Sequence, residues 1–329
     1  MQSPLPQPAP SSPPTDALVS VVVPAFNEQD NLQALHARLS ATLRACAPRH
    51  EIIFVDDGSR DKTLEVIRQL AAADPNVKYL SFSRNFGHEP ATTAGMDHAR
   101  GDAVVLIDAD LQDPPEVIAQ MIERWKAGAQ VVYAQRRTRA GETVLKKATS
   151  ALFYRALDSI SEVRIPRDTG DFRLMDRAVV QAVKRCRESP RFVRGLVAWA
   201  GFRQEPLLYD RDARFAGETK YNFRKLLRLS FEAATSFSLL PLRWAMQLGA
   251  AVVSISLLLA VANTVLGLTR GETLGGGFGF LASALFFLGG LQLLVLGVMA
   301  EYLGMIHRNT LARPPYLIAE QRGFDAPAT

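Results

Sequence analysis

The hydrophobic residues in the first part of the chain form short runs, separated by segments in which apolar residues recur every three or four positions. The short runs are rich in β-branched residues and lie at 18–26, 51–55, 77–82, 103–107 and 130–133. The helical spacing occurs at 31–43, 64–70 and 117–125. Short apolar strands that alternate with amphipathic helices are typical of βαβ units. The pattern therefore predicts an α/β domain with a Rossmann-like, doubly wound and mostly parallel sheet, and a further strand is expected at 169–175 after a turn.

Two much longer apolar runs follow, at 242–268 and 278–306, with a glycine-rich segment between them. Each run exceeds the ~20 residues that a helix needs to span a bilayer. Basic residues flank the pair on its outer sides, whereas the connecting segment carries only Arg270. The positive-inside rule then predicts two transmembrane helices with both ends, and the α/β domain, in the cytoplasm. Helices buried in a soluble core are the alternative, but two adjacent runs of this length do not fit one.

The segment 221–238, just before the first long run, is amphipathic. Its apolar face carries Phe223, Leu226, Leu227, Phe231 and Ala234, and its basic residues lie elsewhere. Such a helix suits the anionic headgroup layer of a membrane, although the same apolar face would also serve a helix docked on the domain. The predicted organisation is a disordered tail at 1–16, a catalytic α/β domain at 17–220, an interfacial helix at 221–238, transmembrane helices at 242–268 and 278–306, and a cytoplasmic juxtamembrane tail at 307–329.

The overall composition conceals this division. The 329 residues are 48% hydrophobic with a net charge of +5, and the mean hydropathy is +0.02. These averages are those of a soluble globular protein, because the polar domain offsets the apolar runs. The two cysteines, Cys46 and Cys186, exclude a disulfide scaffold and a four-cysteine zinc site. No GxGxxG follows the first strand, and no GxxxxGK[ST] or GxSxG is present, which disfavours dehydrogenases, P-loop NTPases and α/β-hydrolases.

The segments that follow the predicted strands carry carboxylates instead of these glycine-rich or serine motifs. Asp108 and Asp110 follow the fourth predicted strand, and the two-residue period of a strand places them on the same face. Two neighbouring carboxylates repel each other, and a divalent cation with a preference for oxygen ligands, such as Mg²⁺ or Mn²⁺, would relieve that repulsion. Asp113 precedes two prolines and is predicted to cap the next helix. Asp57 and Glu28 follow the second and first strands, where either a nucleotide contact or ordinary turn chemistry would account for them.

Taken together, these segments resemble a known family. VVVPAFNE, FVDDGSRDKT, SRNFGHEPATTAGMDHARGD and DADLQDPPE, in this order, resemble the GT-A glycosyltransferases of family 2. The segments TGDFRLMDR, RFVRG and GETKY and the two apolar runs narrow the resemblance to polyprenyl-phosphate glycosyltransferases of the bactoprenol glucosyltransferase type, which are related to dolichyl-phosphate mannose synthases. The resemblance covers nearly the whole chain.

The resemblance implies an inverting transfer of a hexose from a nucleotide-sugar to a lipid phosphate. The implied donor is UDP-glucose, the acceptor is undecaprenyl or another polyprenyl phosphate, and the cofactor is Mg²⁺ or Mn²⁺. The implied location is the cell inner (cytoplasmic) membrane, as a homo-oligomer, a tetramer, with no nucleic-acid partner. Alternatives are another donor (UDP-4-formamido-arabinose, UDP-GlcNAc or GDP-mannose), a non-catalytic nucleotide-sugar-binding membrane subunit, or a transferase with a soluble acceptor.

The resemblance also implies roles for individual residues. Those expected around the nucleotide are Pro24, Phe26, Glu28, Asp57 and Asp108. Those expected to ligate the metal are Asp110 and Gln112. Those expected to bind acceptor or donor phosphate are Arg136, Arg137, Arg194 and Lys220. Asp171 is expected near the donor sugar, as a catalytic residue with Asp108 and Asp110, and its role in sugar binding or charge stabilisation stays open. His88 is predicted to be a loop or helix-start residue rather than an acid–base catalyst.

Overall fold

The structure is a computed structural model that describes residues 14, 16–137, 169–186, 188, 191–210, scattered positions between 247 and 269, and 278–324. It divides the chain into two units. One contains the sheet together with residues 314–324, and the other contains the long C-terminal helix. Three of the predicted segments lie wholly or mostly outside the described residues. They are the interfacial helix at 221–238, most of the first transmembrane helix at 242–268 and nearly all of the disordered tail at 1–16.

Eight strands form one sheet in the order β7-β5-β6-β4-β1-β2-β3-β8. Their bounds are β1 Val19–Ala25, β2 His50–Asp56, β3 Val77–Phe82, β4 Ala103–Leu106, β5 Val131–Arg136, β6 Thr169–Asp176, β7 Gln204–Tyr209 and β8 Ile318–Arg322. Of these described strands, β6 and β8 run antiparallel to their neighbours and the others run in one direction. The mostly parallel α/β sheet predicted from the alternating pattern is thus confirmed.

Helices cover both faces of the sheet. Their bounds are α1 Leu32–Cys46, α2 Thr63–Ala73, α3 His88–His98, α4 Val117–Lys126, α5 Arg177–Arg185 and α6 Val193–Trp199. Val21, Val23 and Phe54 share a buried cluster with residues of α1, α2 and α4. Val22 and Ile53 face the other way and share a cluster with residues of α3, α5 and α6. Burial on both faces explains why the central strands are continuous apolar runs rather than alternating ones.

Helix α3 has no apolar stripe, so the spacing of apolar residues did not predict it. It is built from small residues, and it lies so close to the sheet that a Cβ on Gly95 would be 2.1 Å from Val22 Cγ1. Close contact, rather than a wide apolar face, therefore buries this helix. Helix α4 also differs from the prediction, because it begins after Glu116 and Asp113 does not cap it. Asp113 is instead buried and accepts a hydrogen bond from the Tyr209 hydroxyl.

The second unit contains the longest helix, α7 Phe278–Thr310. Within it, Phe287–His307 is apolar and long enough to cross a membrane, and none of its most apolar stretch is buried in the structure. It is the one such helix among the described residues, so the second of the two predicted transmembrane helices has a counterpart. Within the range 307–329, which was predicted to be a juxtamembrane tail, the described residues continue α7 to Thr310 and form β8 at Ile318–Arg322.

Glu51 on β2 supplies a test of the sheet's electrostatics. Its side chain is 4% exposed, and its carboxylate accepts hydrogen bonds from Lys78 Nζ (2.6 Å), the Arg100 backbone N–H (2.8 Å) and the Ser20 hydroxyl. Burial raises the pKa of Glu51, but these partners outweigh it and hold the pKa below its ordinary value. The ionised carboxylate therefore stabilises the fold above the unfolded-state pKa, and that contribution is lost as the pH falls through the folded-state pKa.

We expect Glu51→Gln to lower the free energy of unfolding at pH 7 by about 2 kcal/mol, because the half-buried Lys78 ammonium loses its charged partner. The difference from the unsubstituted chain should shrink as the pH falls below about 4.5. Thermal melting of the full chain between pH 3 and 8 measures both effects. Glu65→Gln on the exposed side of α2 is the matched control. A loss that stays constant over this range would contradict the assignment.

Candidate functional site

The carboxyl ends of β1, β2, β3 and β4 meet at one edge of the sheet, because these strands are parallel. Ligands of doubly wound sheets bind at this edge. The loops that leave it carry most of the residues singled out from the sequence. They are the segments at 26–31 after β1, 57–62 after β2, 83–87 after β3 and 107–116 after β4.

Asp57 holds two of these loops together. Its Oδ1 accepts the Phe86 backbone N–H at 2.7 Å, and its Oδ2 accepts the Gly87 N–H at 3.0 Å and Asn85 Nδ2 at 2.8 Å. Burial raises the pKa of Asp57, and the donated N–H groups only partly oppose this. Asp57, which was predicted to contact the nucleotide, is 3% exposed in the described structure. Its observed contacts fix the loop between β3 and α3.

The adjoining Gly58 has a backbone φ of +65°. A Cβ at this position would lie 2.4 Å from the backbone carbon of Arg84. The loop after β3 therefore crosses directly over Gly58, which only a glycine permits. The glycine of the FVDDGS segment is explained by this crossing.

The segment after β1 is joined to the segment after β2 by side-chain to backbone hydrogen bonds. Asn27, with φ of 56°, accepts the Arg60 N–H at 2.9 Å through its Oδ1 and donates its own N–H to Ser59 Oγ at 3.0 Å. The Glu28 N–H donates to Thr63 Oγ1 at 2.8 Å. These bonds leave the Phe26 ring 41% exposed at the edge of the sheet. Of the other residues predicted there, Glu28 is half-buried and accepts from Asn31 Nδ2 at 2.6 Å, and Pro24 is a buried residue of β1.

A cluster of charged side chains lies beside the end of β4. His88, the first residue of α3, has its Nε2 3.2 Å from Asp171 Oδ2 and 3.7 Å from Asp108 Oδ1. Arg194 on α6 binds Asp171 in a bidentate manner, with Nε 2.6 Å from Oδ1 and Nη2 2.9 Å from Oδ2. The Asp171 side chain is 13% exposed. Both of its oxygens are thus engaged by cationic groups.

The electrostatics of this cluster follow from its geometry. Burial lowers the pKa of His88, but the hydrogen bond to Asp171 and the charge of Asp108 outweigh it and raise the pKa to about 9. Burial raises the pKa of Asp108 to about 6; the His88 charge opposes this, and the charges of Asp171, Asp113 and Asp110 add to it. Burial acts to raise the pKa of Asp171 as well, but His88 and Arg194 hold it well below its usual range. At neutral pH, His88 is therefore a cation that donates to Asp171.

His88 begins α3, which is one of the two placements predicted for it (a loop or a helix start), but its contacts with Asp108 and Asp171 were missed. The sequence signal was its position directly after the third parallel strand, at the edge where ligands bind. The partner Asp171 lies 83 residues away in the chain, which no local pattern reveals.

The turn after β4 carries the residues predicted to bind a metal. Leu111 has a left-handed φ of 57°, and the Gln112 N–H donates to Asp110 Oδ1 at 3.2 Å. Asp110 and Gln112 are both half-buried. The negative charge of Asp110 contributes to the raised pKa of Asp108, so the two carboxylates are close enough to interact electrostatically.

The four basic residues predicted to bind phosphate have different surroundings. Arg136 ends β5, and its Nε is buried and has no hydrogen-bond partner among the described residues. A Cβ on Gly170 would lie 3.7 Å from Arg136 Nη2 and 3.9 Å from Asp113 Oδ2, so Arg136 reaches the start of β6 beside Asp171. Arg137 is exposed and lies 3.7 Å from Asp210. Arg194 is engaged by Asp171, and Lys220 lies outside the described residues.

Residues 20–184 match the family described as Glycosyl transferase family 2. The chain belongs to glycosyl transferase family 2. It is 46% identical over 306 residues to the uncharacterized glycosyltransferase YkcC of Bacillus subtilis (strain 168), covering 93% of this chain and 94% of that protein. It is 42% identical over 304 residues to the bactoprenol glucosyl transferase of Shigella phage SfX, covering 92% and 99%.

Among solved structures, this family 2 chain is similar to glucosyl-3-phosphoglycerate synthase from Mycobacterium tuberculosis in complex with Mn²⁺, UDP and phosphoglyceric acid. That similarity has a TM-score of 0.46 at 18% identity and covers 66% of this chain and 76% of that one.

Two arrangements in this family 2 chain offer ligands for a metal ion. Ligand atoms of His88, Asp108 and Asp171 lie within 4.8 Å of one another. A protonated imidazole cannot ligate a metal, however, and Arg194 already engages both oxygens of Asp171. The oxygen atoms of Asp108, Asp110 and Gln112 suit a hard cation better, because burial and the neighbouring carboxylates raise the pKa of Asp108, and a divalent positive charge would stabilise its ionised form.

Proposed function

We propose that this family 2 chain is an inverting glycosyltransferase that moves a hexose, glucose from UDP-glucose, to a polyprenyl phosphate at the cytoplasmic face of the membrane. The observation that carries this proposal is the charged cluster of Asp108, Asp171, His88 and Arg194 at the carboxyl edge of the sheet. Relatives named bactoprenol glucosyl transferase, which align with more than nine-tenths of this chain, support the choice of reaction.

The nucleotide of the donor is assigned to the edge formed by β1 and β2. The exposed Phe26 ring offers an apolar face on which a flat base can stack. In this proposal Asp57 and Asn27 do not contact the base. They hydrogen-bond the loops that carry and surround Phe26, and so fix the shape of this edge. Glu28 stands beside this surface, where its carboxylate is able to accept from a ribose hydroxyl.

The donor's diphosphate is assigned to the turn after β4. Asp110 and Gln112, with Asp108 beside them, would hold Mg²⁺ or Mn²⁺ there through oxygen ligands. When bound, the ion supplies a Lewis acid for departure of the nucleoside diphosphate. His88 adds a protonated side chain beside Asp108, which neutralises part of the acidic charge before a polyanionic substrate arrives.

The acceptor's chemistry fits the state of Asp171. A phosphate monoester has a second pKa near 6, so its oxygen is already largely anionic at neutral pH and attacks without a strong general base. Asp171, with both oxygens engaged by Arg194 and His88, is poorly placed to take a proton. Its role is to orient these two cations. Arg136, whose Nε has no partner in the described part of the chain, is the residue to which we assign the acceptor phosphate.

Membrane attachment is the remaining part of the proposal. The apolar stretch of α7 supports it, and the sequence predicts a second span at 242–268 and an interfacial helix at 221–238. An acceptor with a polyprenyl tail never leaves the bilayer, so an enzyme held there meets it without extraction. The inner membrane location, the homo-oligomer and the cytoplasmic catalytic domain belong to this proposal.

Incubating the purified full chain with radiolabelled UDP-glucose, undecaprenyl phosphate and Mn²⁺ or Mg²⁺ tests the reaction. Label is expected in the organic phase, and EDTA should abolish its transfer. Parallel reactions with UDP-GlcNAc, UDP-4-formamido-arabinose and GDP-mannose identify the donor. Absence of labelled lipid with all four donors would overturn the transferase, and UDP binding retained in that case would favour a non-catalytic subunit. Transfer that persists in EDTA would refute the metal assignment alone.

A further inference from the structure

The chain returns to the sheet after α7. Residues 314–324, here called the C-terminal segment, contain β8, which pairs antiparallel with β3. The pairing continues past the strand, because the Ser83 backbone N–H donates to the Leu317 carbonyl at 3.0 Å. Ser83 is the first residue of the loop between β3 and α3. The C-terminal segment therefore extends along β3 as far as the loop that enters the site.

Polar and aromatic contacts secure the middle and the last residue of the C-terminal segment. Glu320 pairs with Arg68 of α2 in a bidentate manner and accepts the Tyr79 hydroxyl. At the far end, the Phe324 ring lies 5.2 Å from the His98 ring. These contacts lie away from the loop between β3 and α3, so they fasten the segment without touching the site.

Tyr316 makes the contact nearest the site. Its ring stacks on Phe82 at 5.2 Å between centroids and an angle of 9°. Its hydroxyl donates to Asp97 Oδ2 at 3.1 Å, near the end of α3. Phe82 in turn meets Phe86 edge-on at 5.6 Å. Three aromatic rings thus run from the C-terminal segment into the loop between β3 and α3.

That loop is held from its other side by the site. Phe86 and Gly87 donate their backbone N–H groups to Asp57, and the next residue is His88, which contacts Asp171. The position of His88 therefore depends on the loop at 83–87. Asp57 holds this loop through its backbone, and Phe82 holds it through the Phe86 ring. Gly87, with a φ of 110°, gives that loop little stiffness of its own.

We propose that Tyr316 is a positioning residue for the site. Through Phe82 and Phe86 it holds the loop at 83–87, and so keeps the Asp57 contacts and His88 in place. The effect on catalysis rests on the proposed function, whereas the effect on the loop does not. A residue near the C-terminus, far from the catalytic motifs in sequence, is thereby part of the support for the donor site.

Hydrogen exchange of the full chain, measured by mass spectrometry on a peptide that covers the loop at 83–87, tests the positioning directly. In Tyr316→Leu, the Phe86 and Gly87 amides should exchange about three- to tenfold faster, the size expected for loss of one aromatic pair. Tyr316→Phe keeps the ring and loses only the hydroxyl, so its exchange should stay near that of the unsubstituted chain. Phe324→Leu is the matched control at the opposite end of the segment.

Unchanged exchange in Tyr316→Leu, or the same acceleration in Phe324→Leu, would overturn the proposal. A second readout uses UDP with Mn²⁺ as the probe, whose affinity should fall severalfold in Tyr316→Leu and be restored in Tyr316→Phe. In a glucosyl-transfer assay the same variant should raise KM for UDP-glucose more than it lowers kcat. If no transfer is found with any donor, the exchange experiment still decides whether Tyr316 holds the loop.

Discussion

Asp108→Asn should lower the rate of sugar transfer at least about 100-fold while raising the melting temperature of the protein in EDTA. The gain in stability follows from the Asp108 pKa of about 6, because burial first, and then the charges of Asp171, Asp113 and Asp110, disfavour the ionised carboxylate in the folded chain. The neutral amide removes this cost above pH 6. As the pH falls below about 6 the native carboxyl takes up its proton, so the difference in melting temperature should shrink, and it should vanish only near the unfolded-state pKa of about 4.

Melting curves at pH 4 and pH 8, with initial rates at pH 8 from the same preparations, measure the two effects. Asp30→Asn, at an exposed position before α1, is the control and should change neither quantity. Mn²⁺ should raise the melting temperature of the unsubstituted chain more than that of Asp108→Asn, because a cation that binds only the folded state stabilises it. If Asp108→Asn melts at a lower temperature than the unsubstituted chain at pH 8, the ionised Asp108 stabilises the fold, and the predicted gain in stability is refuted.

The second large effect is expected at the Asp171–Arg194 pair. Arg194→Met and Asp171→Asn should each lower the free energy of unfolding by about 2 kcal/mol, less than for a fully buried pair, because Arg194 is about a third exposed. Arg194→Met removes one of the two cations that engage Asp171, and Asp171→Asn removes the carboxylate that Arg194 binds. The double variant should therefore cost less than the sum of the singles, with a coupling of about 1 kcal/mol. Chemical denaturation of the four proteins completes the cycle.

Activity separates this interpretation from the role that the sequence predicted for Arg194. If Arg194 orients Asp171, Arg194→Met should reduce kcat and stability together, and Arg194→Lys should recover little because it lacks the bidentate geometry. If Arg194 binds the acceptor phosphate instead, KM for the lipid should rise with stability unchanged. Arg137→Met, at an exposed pair with Asp210, is the matched control.

The features that the sequence predicted well depend on the hydrophobic pattern within single segments of the chain. The central strands are recognisable because both of their faces are buried, which makes each a continuous apolar run that ends in a polar turn. Asp57 and Asp108 were placed at the correct edge for the same reason. Once the strands are parallel, the residues that follow them share one edge of the sheet.

The features that were missed depend on contacts between distant parts of the chain. Helix α3 is buried through Gly95 against Val22, which leaves no amphipathic stripe to detect. Asp113 precedes two prolines, as a helix cap often does, but its carboxylate accepts a hydrogen bond from Tyr209, which lies 96 residues later. His88 has the signature of a helix start, and only the tertiary structure brings Asp171 to it. Its charge is set by that partner and not by its own segment.

The position of β8 has a consequence for how the protein is made. Because β8 follows α7, the sheet cannot be completed until the apolar helix has been synthesised. Until then, β3 is an open edge on the nascent chain, with unpaired N–H and C=O groups that invite pairing with other chains. A shortened, water-soluble form that ends before α7 would keep this edge open for its whole lifetime. Removing the apolar helix to gain solubility would therefore also remove the strand that protects the sheet from aggregation.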